Sequence, residues 1–389
     1  MKLHSIQSLR ALAALLVMVY HVRAIEMDAF MRAGLSDTPL VSTLIRNGFA
    51  GVDLFFVISG FIMVYVTGYV RPRAMTSLAF LFARAARIYP LWWLFAVLMT
   101  IYFFVTYGVP YDVERTVGGS ALMAEHPWLH LLYSYALMPQ HAVPVFGLGW
   151  TLVHEMHFYV VFAVLILFPR RFLPWLLALW AGAVTAGSLA GLSSVYPSNY
   201  IELFFHPLSM EFIAGCLAAL LVSSGRRFVP WLMLSVGIVW GVMALAAQGD
   251  ATAFTLGWGR VLSFGLPCAL IVYAFAAWEA SEEIHIPGWL VSLGDWSFSL
   301  YLCHTFVLSG LRRLFGLLAG QLQGTAYADW FLLGAPGRID NILFYIFGIS
   351  LSILLSWLTF RFFEKPAMRL TGRWRRQLFE DTNAQLKPA

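Results

Sequence analysis

Ser8-Leu-Arg-Ala-Leu-Ala-Ala-Leu-Leu-Val-Met-Val-Tyr-His-Val-Arg23 reads as an apolar helix with an arginine near one end and a histidine near the other. Arg10 and His21 are eleven residues apart. At about 100° per residue that is nearly three turns, so both side chains fall on one stripe, roughly 16 Å apart. The distance covers about half of a bilayer's hydrocarbon core. An ionisable group inside a membrane helix is costly, and where it is kept it is usually functional. Snorkelling to the inner surface accounts for Arg10 but not for His21. A cleaved signal peptide is the second reading, because Val22-Arg23-Ala24 fits a permissive small-residue rule. Cleavage would discard the Arg10–His21 pair and leave nine helices. The charges downstream do not favour it, so the expectation is a retained first span.

The whole chain is in keeping with a membrane helix at its start. Of 389 residues, 60% are hydrophobic and 12% charged. Mean hydropathy is +0.75. A soluble domain carries about 25% charged residues. The expected fold is therefore an all-α polytopic membrane protein. The net charge of +5 does not point to nucleic acid, because the basic residues sit between apolar runs and read as topology signals. Cys216, Cys268 and Cys303 lie far apart in apolar runs with no metal-ligand spacing. They read as packing residues, with neither a disulfide nor zinc expected.

Ten apolar runs are long enough to cross, at about 5–22, 50–69, 86–107, 149–168, 172–190, 204–223, 229–247, 258–278, 297–318 and 341–363. Lys and Arg set the orientation. With both termini cytoplasmic, the inner connections hold Arg71, Arg73, Arg84 and Arg87, then Arg170 and Arg171, then Arg226 and Arg227. The tail adds Lys365, Arg369, Arg373, Arg375, Arg376 and Lys387. The outer connections 193–202 and 248–258 hold no Lys or Arg. Two places resist the rule. The inner connection with Glu279, Glu282 and Glu283 has no basic residue, and Arg312 and Arg313 fall near the outer end of the ninth span. The expected organisation is a transmembrane domain over 1–366 and a short basic cytoplasmic tail over 367–389. The longest connection, 107–149, is expected outside, with Trp128 to Tyr135 as a short amphipathic or re-entrant helix.

Several motifs carry charge into this apolar frame. Asp53 lies about one turn inside the second span, where a carboxylate needs a partner, water or a helix N-terminus. Ser59-Gly60 reads as a helix-packing contact. Arg84 and Arg87 share a face at i and i+3, a spacing that can clamp a phosphate. By themselves they fit lipid headgroups and the inside charge better. In Gly149-Trp-Thr-Leu-Val-His-Glu-Met-His-Phe-Tyr159, the residues Thr151, Glu155 and Tyr159 line one face. A carboxylate beside histidine suits general acid–base chemistry. His154 and His157 lack the His-Glu-x-x-His metalloprotease spacing, so no metal is expected. Tyr301 and His304 share a face of the ninth span. The close at Phe363-Glu-Lys-Pro366 is explained by a helix leaving the membrane.

Taken together, these residues resemble the acyltransferase family 3 membrane proteins, the bacterial group that O-acylates exported glycans. The resemblance runs from about Ile6 to Pro366. It rests on Arg10 and His21, Gly51 to Phe61, Arg84-x-x-Arg87, Gly149-Trp-Thr-Leu-x-x-Glu155-x-x-Phe-Tyr159, Ser299-Leu-Tyr-Leu-x-His304 and Phe363 to Pro366, all in order. The chain is most similar to the branch that acetylates exopolysaccharides such as succinoglycan. The resemblance implies a multi-pass protein of the bacterial inner membrane. It implies acyl transfer, by default of acetyl from acetyl-CoA, to a polysaccharide or lipid-linked glycan hydroxyl. It makes His21 the essential histidine; in the mechanism that fits the expected geometry, Glu155 or Asp53 orients it. Arg84 and Arg87, with Arg10, become the acyl-CoA contact. Trp150, Tyr159, Tyr301 and His304 become candidate substrate contacts. His21 then acts as a general base or through an acyl-histidine relay. Two other classes stay open: a proton-coupled glycan transporter, and a structural subunit of an export complex. No paired repeat of broken helices speaks for a transporter.

Overall fold

The computed structural model describes residues 3–34, 40, 47–109, 126–225, 229–247, 256–281, 285–335 and 337–379. Arg226, Arg227, Glu282, Glu283, Lys387 and part 110–125 of the long connection lie outside the described residues. Every regular element among those described is a helix. They are α1 (His4–Ala33), α2 (Ala50–Val66), α3 (Ala74–Tyr107), α4 (Pro127–Ala136), α5 (Gly149–Leu165), α6 (Leu173–Leu189), α7 (Tyr200–Phe204), α8 (Ser209–Ser223) and α9 (Pro230–Ala247). Then come α10 (Trp258–Ala280), α11 (Gly288–Asp295), α12 (Ser297–Gln321), α13 (Ile339–Thr359) and α14 (Lys365–Leu378). Among the described residues, eight helical stretches are long and apolar enough to cross a membrane. The runs expected at 50–69 and 149–168 appear as the shorter apolar helices α2 and α5.

Two helices are longer than their apolar runs. α1 continues past 22 to Ala33 and ends at Gly34, whose φ of 67° is the left-handed C-cap. Its polar extension is satisfied by tertiary partners: Glu26 accepts the Tyr345 hydroxyl at 2.8 Å, and Asp28 pairs with Arg312 at 2.8 Å. α3 starts at Ala74 rather than near 86. Arg84 and Arg87 therefore lie well inside a helix. Hydropathy marks only the part of a helix that faces lipid, so a polar, protein-facing extension is invisible to it.

α1 packs against α2, α10, α11, α12 and α13. Its first turn is held by Glu279, whose carboxylate accepts the His4 and Ser5 amides at 2.7 and 2.9 Å and the Ser5 hydroxyl at 2.5 Å. A carboxylate there satisfies orphan N–H groups and favours the helix dipole. This explains an acid in a connection that lacks basic residues. α2 crosses α8 at two reciprocal glycines. A Cβ on Gly60 would collide with the Phe212 carbonyl, and one on Gly215 with the Val57 carbonyl. Gly60 is thus a packing residue, as its small-residue context suggested. Its neighbour Ser59 has a different place, described below. The expected short helix of the long connection is α4. Tyr89, Trp92 and Trp93 of α3 clip it by donating to the carbonyls of Ala136, Ser134 and Tyr135 at 2.8, 3.0 and 3.0 Å.

Candidate functional site

A cavity of about 330 Å³ lies between α1, α2, α3, α5, α12 and α14. Arg10, Arg84, Arg87, Glu155, Tyr159 and Tyr301 all line it. Helical spacing brings each group in: Arg84 and Arg87 from one face of α3, and Thr151, Glu155 and Tyr159 from one face of α5. Arg10 donates through Nε to the Ser297 hydroxyl at 3.2 Å. Glu155 accepts the Tyr159 hydroxyl and, at 3.2 Å, the Ser59 hydroxyl. Ser59 is therefore a cavity residue rather than a packing contact. With Asp295, the lining sets three guanidiniums against two carboxylates. The Nε of Arg84 is buried with no hydrogen-bond partner among the described residues. An unmet charged donor beside two other guanidiniums is a built place for an anion.

The cavity runs along α1 from Leu3 to Arg10 and on to Val52 and Tyr301. The Tyr301 hydroxyl closes its far end with the Thr151 hydroxyl, 2.8 Å away. Beyond Tyr301 stands His304, with ring centroids 6.2 Å apart. His304 Nε2 is 3.1 Å from His21 Nδ1. The tautomers follow from the carbonyls. His304 Nδ1 lies 2.9 Å from the Leu300 carbonyl, and His21 Nδ1 lies 2.9 Å from the Val17 carbonyl. A carbonyl can only accept, so both Nδ1 atoms carry hydrogen. In the neutral pair, His304 Nε2 is then the acceptor for His21 Nδ1–H, shared with Val17. His21 Nε2 is left with a bare lone pair. His304 is fully buried, whereas His21 is half-buried.

The first stripe is thus divided. Arg10 lines the cavity, and His21 sits behind its Tyr301 end. Both meet α12, Arg10 at Ser297 and His21 at His304. Glu155 and Asp53 were expected to orient His21. The hydrogen bonds of Glu155 go to Tyr159 and Ser59. Asp53 is taken by a residue that sequence reasoning missed. Arg260 donates through Nε and Nη2 to the two Asp53 oxygens, each at 2.7 Å, with side chains 3% and 0% exposed. The Arg260 guanidinium also lies over the rings of Phe49 and Trp150, 5.1 and 5.8 Å from their centroids. The signal for Arg260 was present: it is a charge just inside an apolar run, and Asp53 needed a partner.

Trp150 lies outside the main cavity. It lines a smaller one of about 40 Å³ with Pro139, His154, Tyr196 and Leu256. His154 packs against His206, a residue not singled out in the sequence, with centroids 4.7 Å apart. Glu364 of the closing motif accepts the Ser299 hydroxyl at 2.5 Å, which joins the last two motifs of the chain.

The chain matches the acyltransferase-domain family over residues 3–361. It is 32% identical over 336 residues to the exopolysaccharide production protein ExoZ of Rhizobium meliloti, covering 85% of this chain and 92% of that protein. It is 28% identical to the acyltransferase MdmB of Streptomyces mycarofaciens, covering 96% and 94%. It is 22% identical to the O-acetyltransferase OatA of Staphylococcus aureus, covering 94% of this chain and 57% of that protein. No solved structure matches the chain.

Proposed function

We propose, from the premise that this chain belongs to the acyltransferase-domain family and is a multi-pass inner-membrane enzyme, that it moves acetyl from acetyl-CoA to a glycan hydroxyl. The acceptor is an exported polysaccharide or its lipid-linked precursor. The observation that carries this reading is a single cavity with three arginines that ends, at Tyr301, beside the His21–His304 pair. The relatives' names support the classes of chemistry: exopolysaccharide production in one, acyl transfer in another, O-acetyl transfer in a third.

In this reading both termini are cytoplasmic. The basic helix α14 and the first turn of α1 then share the donor side, as the positive-inside rule favours. The donor's phosphates sit on Arg84 and Arg87, with Arg10 deeper in. The acyl arm follows α1 towards Tyr301. The acceptor hydroxyl comes from the opposite side to His21. Its oxygen attacks the thioester carbonyl carbon while His21 Nε2 takes its proton. The C–S bond breaks, and the proton returns to the departing CoA thiolate. His304 positions His21 by accepting its Nδ1–H, the place first expected for Glu155 or Asp53. Glu155 holds the Tyr159 and Ser59 hydroxyls in the wall and balances part of the arginine charge.

Ester analysis of surface polysaccharide, with and without the gene, tests the activity; equal ester content in the two would sink it. Binding tests the donor. An Arg84→Ala/Arg87→Ala variant should weaken acetyl-CoA binding by at least roughly tenfold, because each charge-assisted hydrogen bond is worth about 1.5–3 kcal/mol. Unchanged binding would favour a transporter or a structural subunit instead.

A further inference from the structure

The arginine-lined cavity changes character along its length. Across its middle the Ser59 hydroxyl donates to Glu155 at 3.2 Å. One helical turn nearer the N-termini of α2 and α5 stand Phe55 and Thr151, and both meet Tyr301. The Phe55 and Tyr301 rings lie edge to face, with centroids 6.0 Å apart. Thr151 spends its one hydroxyl hydrogen on the Leu148 carbonyl at 3.0 Å, so the Tyr301 hydroxyl donates to Thr151 at 2.8 Å. Neither hydroxyl then has a hydrogen left for a ligand. Val52, Phe56 and Leu152, which line the cavity from the same turns, add only carbon. On the other side of Tyr301 is the His304 ring, with centroids 6.2 Å apart and planes tilted by 49°. Aromatic rings at that separation are in contact, which leaves no room for a chain between them. Tyr301 is 6% exposed and is held by Phe55, by His304 and, through its hydroxyl, by Thr151. This end of the cavity is thus apolar and shut by a fixed ring.

We propose that the Tyr301 ring is the stop against which the acyl chain ends, and that it sets the preference for acetyl over longer acyl groups. This rests on the acyl-CoA reading of the cavity. The phosphates of the donor belong with the arginines, so the thioester reaches towards the carbon-lined end. Beyond its carbonyl, acetyl carries one carbon and butyryl three. All of them must fit in front of Tyr301 while the carbonyl meets the acceptor hydroxyl at His21. With the ring fixed, the two extra carbons of butyryl either displace packed side chains or hold the carbonyl short of His21. One methylene too many in an apolar pocket is worth about 10- to 200-fold in discrimination.

The test is acyl transfer by the full-length protein in nanodiscs, from acetyl-CoA or butyryl-CoA, to unacylated polysaccharide extracted from cells that lack the gene. Wild type should favour acetyl-CoA in kcat/KM by roughly tenfold or more. Tyr301→Leu removes the ring but keeps the end apolar, and should bring that ratio to about one. Tyr301→Phe keeps the ring and should keep the preference. Thermal unfolding reports which variants fold. Where Tyr301→Leu does not, Phe55→Ala, which opens the same end from α2, carries the test with the same expectation. A wild type that uses both donors equally overturns the stop while the acyl-CoA reading stands. So does a folded Tyr301→Leu variant that keeps the wild-type ratio or transfers neither group, or a Tyr301→Phe variant that loses the preference. If the wild type transfers neither acyl group, the acyl-CoA reading fails and the stop with it.

Discussion

His21→Ala should lower acyl transfer by about 10²- to 10⁴-fold, the usual contribution of a positioned general base. The size follows from the tautomer. With Nδ1–H committed to Val17 and His304, the Nε2 of the half-buried His21 keeps a lone pair. Alanine removes that lone pair, and the Nε2 of His304 stands on the Nδ1 side of the lost ring, away from the place that His21 Nε2 held. Insertion should survive, because α1 is packed chiefly by Ala11, Ala13, Val17 and Met18, which are all buried. His304→Ala should cost less, since it leaves Nε2 in place and loosens only its aim. The measurement is label transfer from acetyl-CoA into glycan, in membranes with equal amounts of each variant. A His21→Ala rate equal to wild type would falsify the base assignment.

Arg260→Met should destabilise the bundle by about 3–5 kcal/mol, the cost of stranding one partner of a buried ion pair. Asp53 is fully buried, and Glu211, also fully buried, stands close enough to act on it. Without Arg260, Asp53 and Glu211 lose the cation that pairs with Asp53 among the described residues. A double variant, Asp53→Leu/Arg260→Met, removes both charges and should recover most of the loss, as replaced buried pairs often do. Thermal unfolding in detergent gives the stability. Activity of the double variant then separates two roles for Asp53. Activity near wild type marks the pair as a brace between α2 and α10. Loss of activity in a folded double variant gives Asp53 the catalytic part first expected of it.

Much of this was legible in the chain. The all-helical, multi-span character followed from apolar runs, because lipid forces backbone polar groups to pair within each segment. The count did not, since among the described residues eight helical stretches reach spanning length and the runs at 50–69 and 149–168 are shorter helices. Shared faces followed from helical period, which placed Arg84 with Arg87 and Glu155 with Tyr159. Glu279 was legible only as an exception; its cause, the first turn of α1, is 274 residues away in sequence. Ser59 was assigned to packing along with Gly60, because a serine beside a glycine carries no sign of which face it occupies.

By itself the sequence determined that this is a helical membrane protein whose ionisable residues lie at set depths. Period and hydropathy are local properties, and both are written in the order of residues. What only the tertiary structure decided is which charge answers which. Asp53 goes to Arg260, Glu155 to Tyr159 and Ser59, and His21 to His304. The helical period gives each side chain a direction on its own helix, but not the rotation or neighbour of the next helix. Those are set by close packing between helices, as at the glycine crossing of α2 and α8, and where α1 packs on α12 it brings His21 to His304 behind the cavity's Tyr301 end.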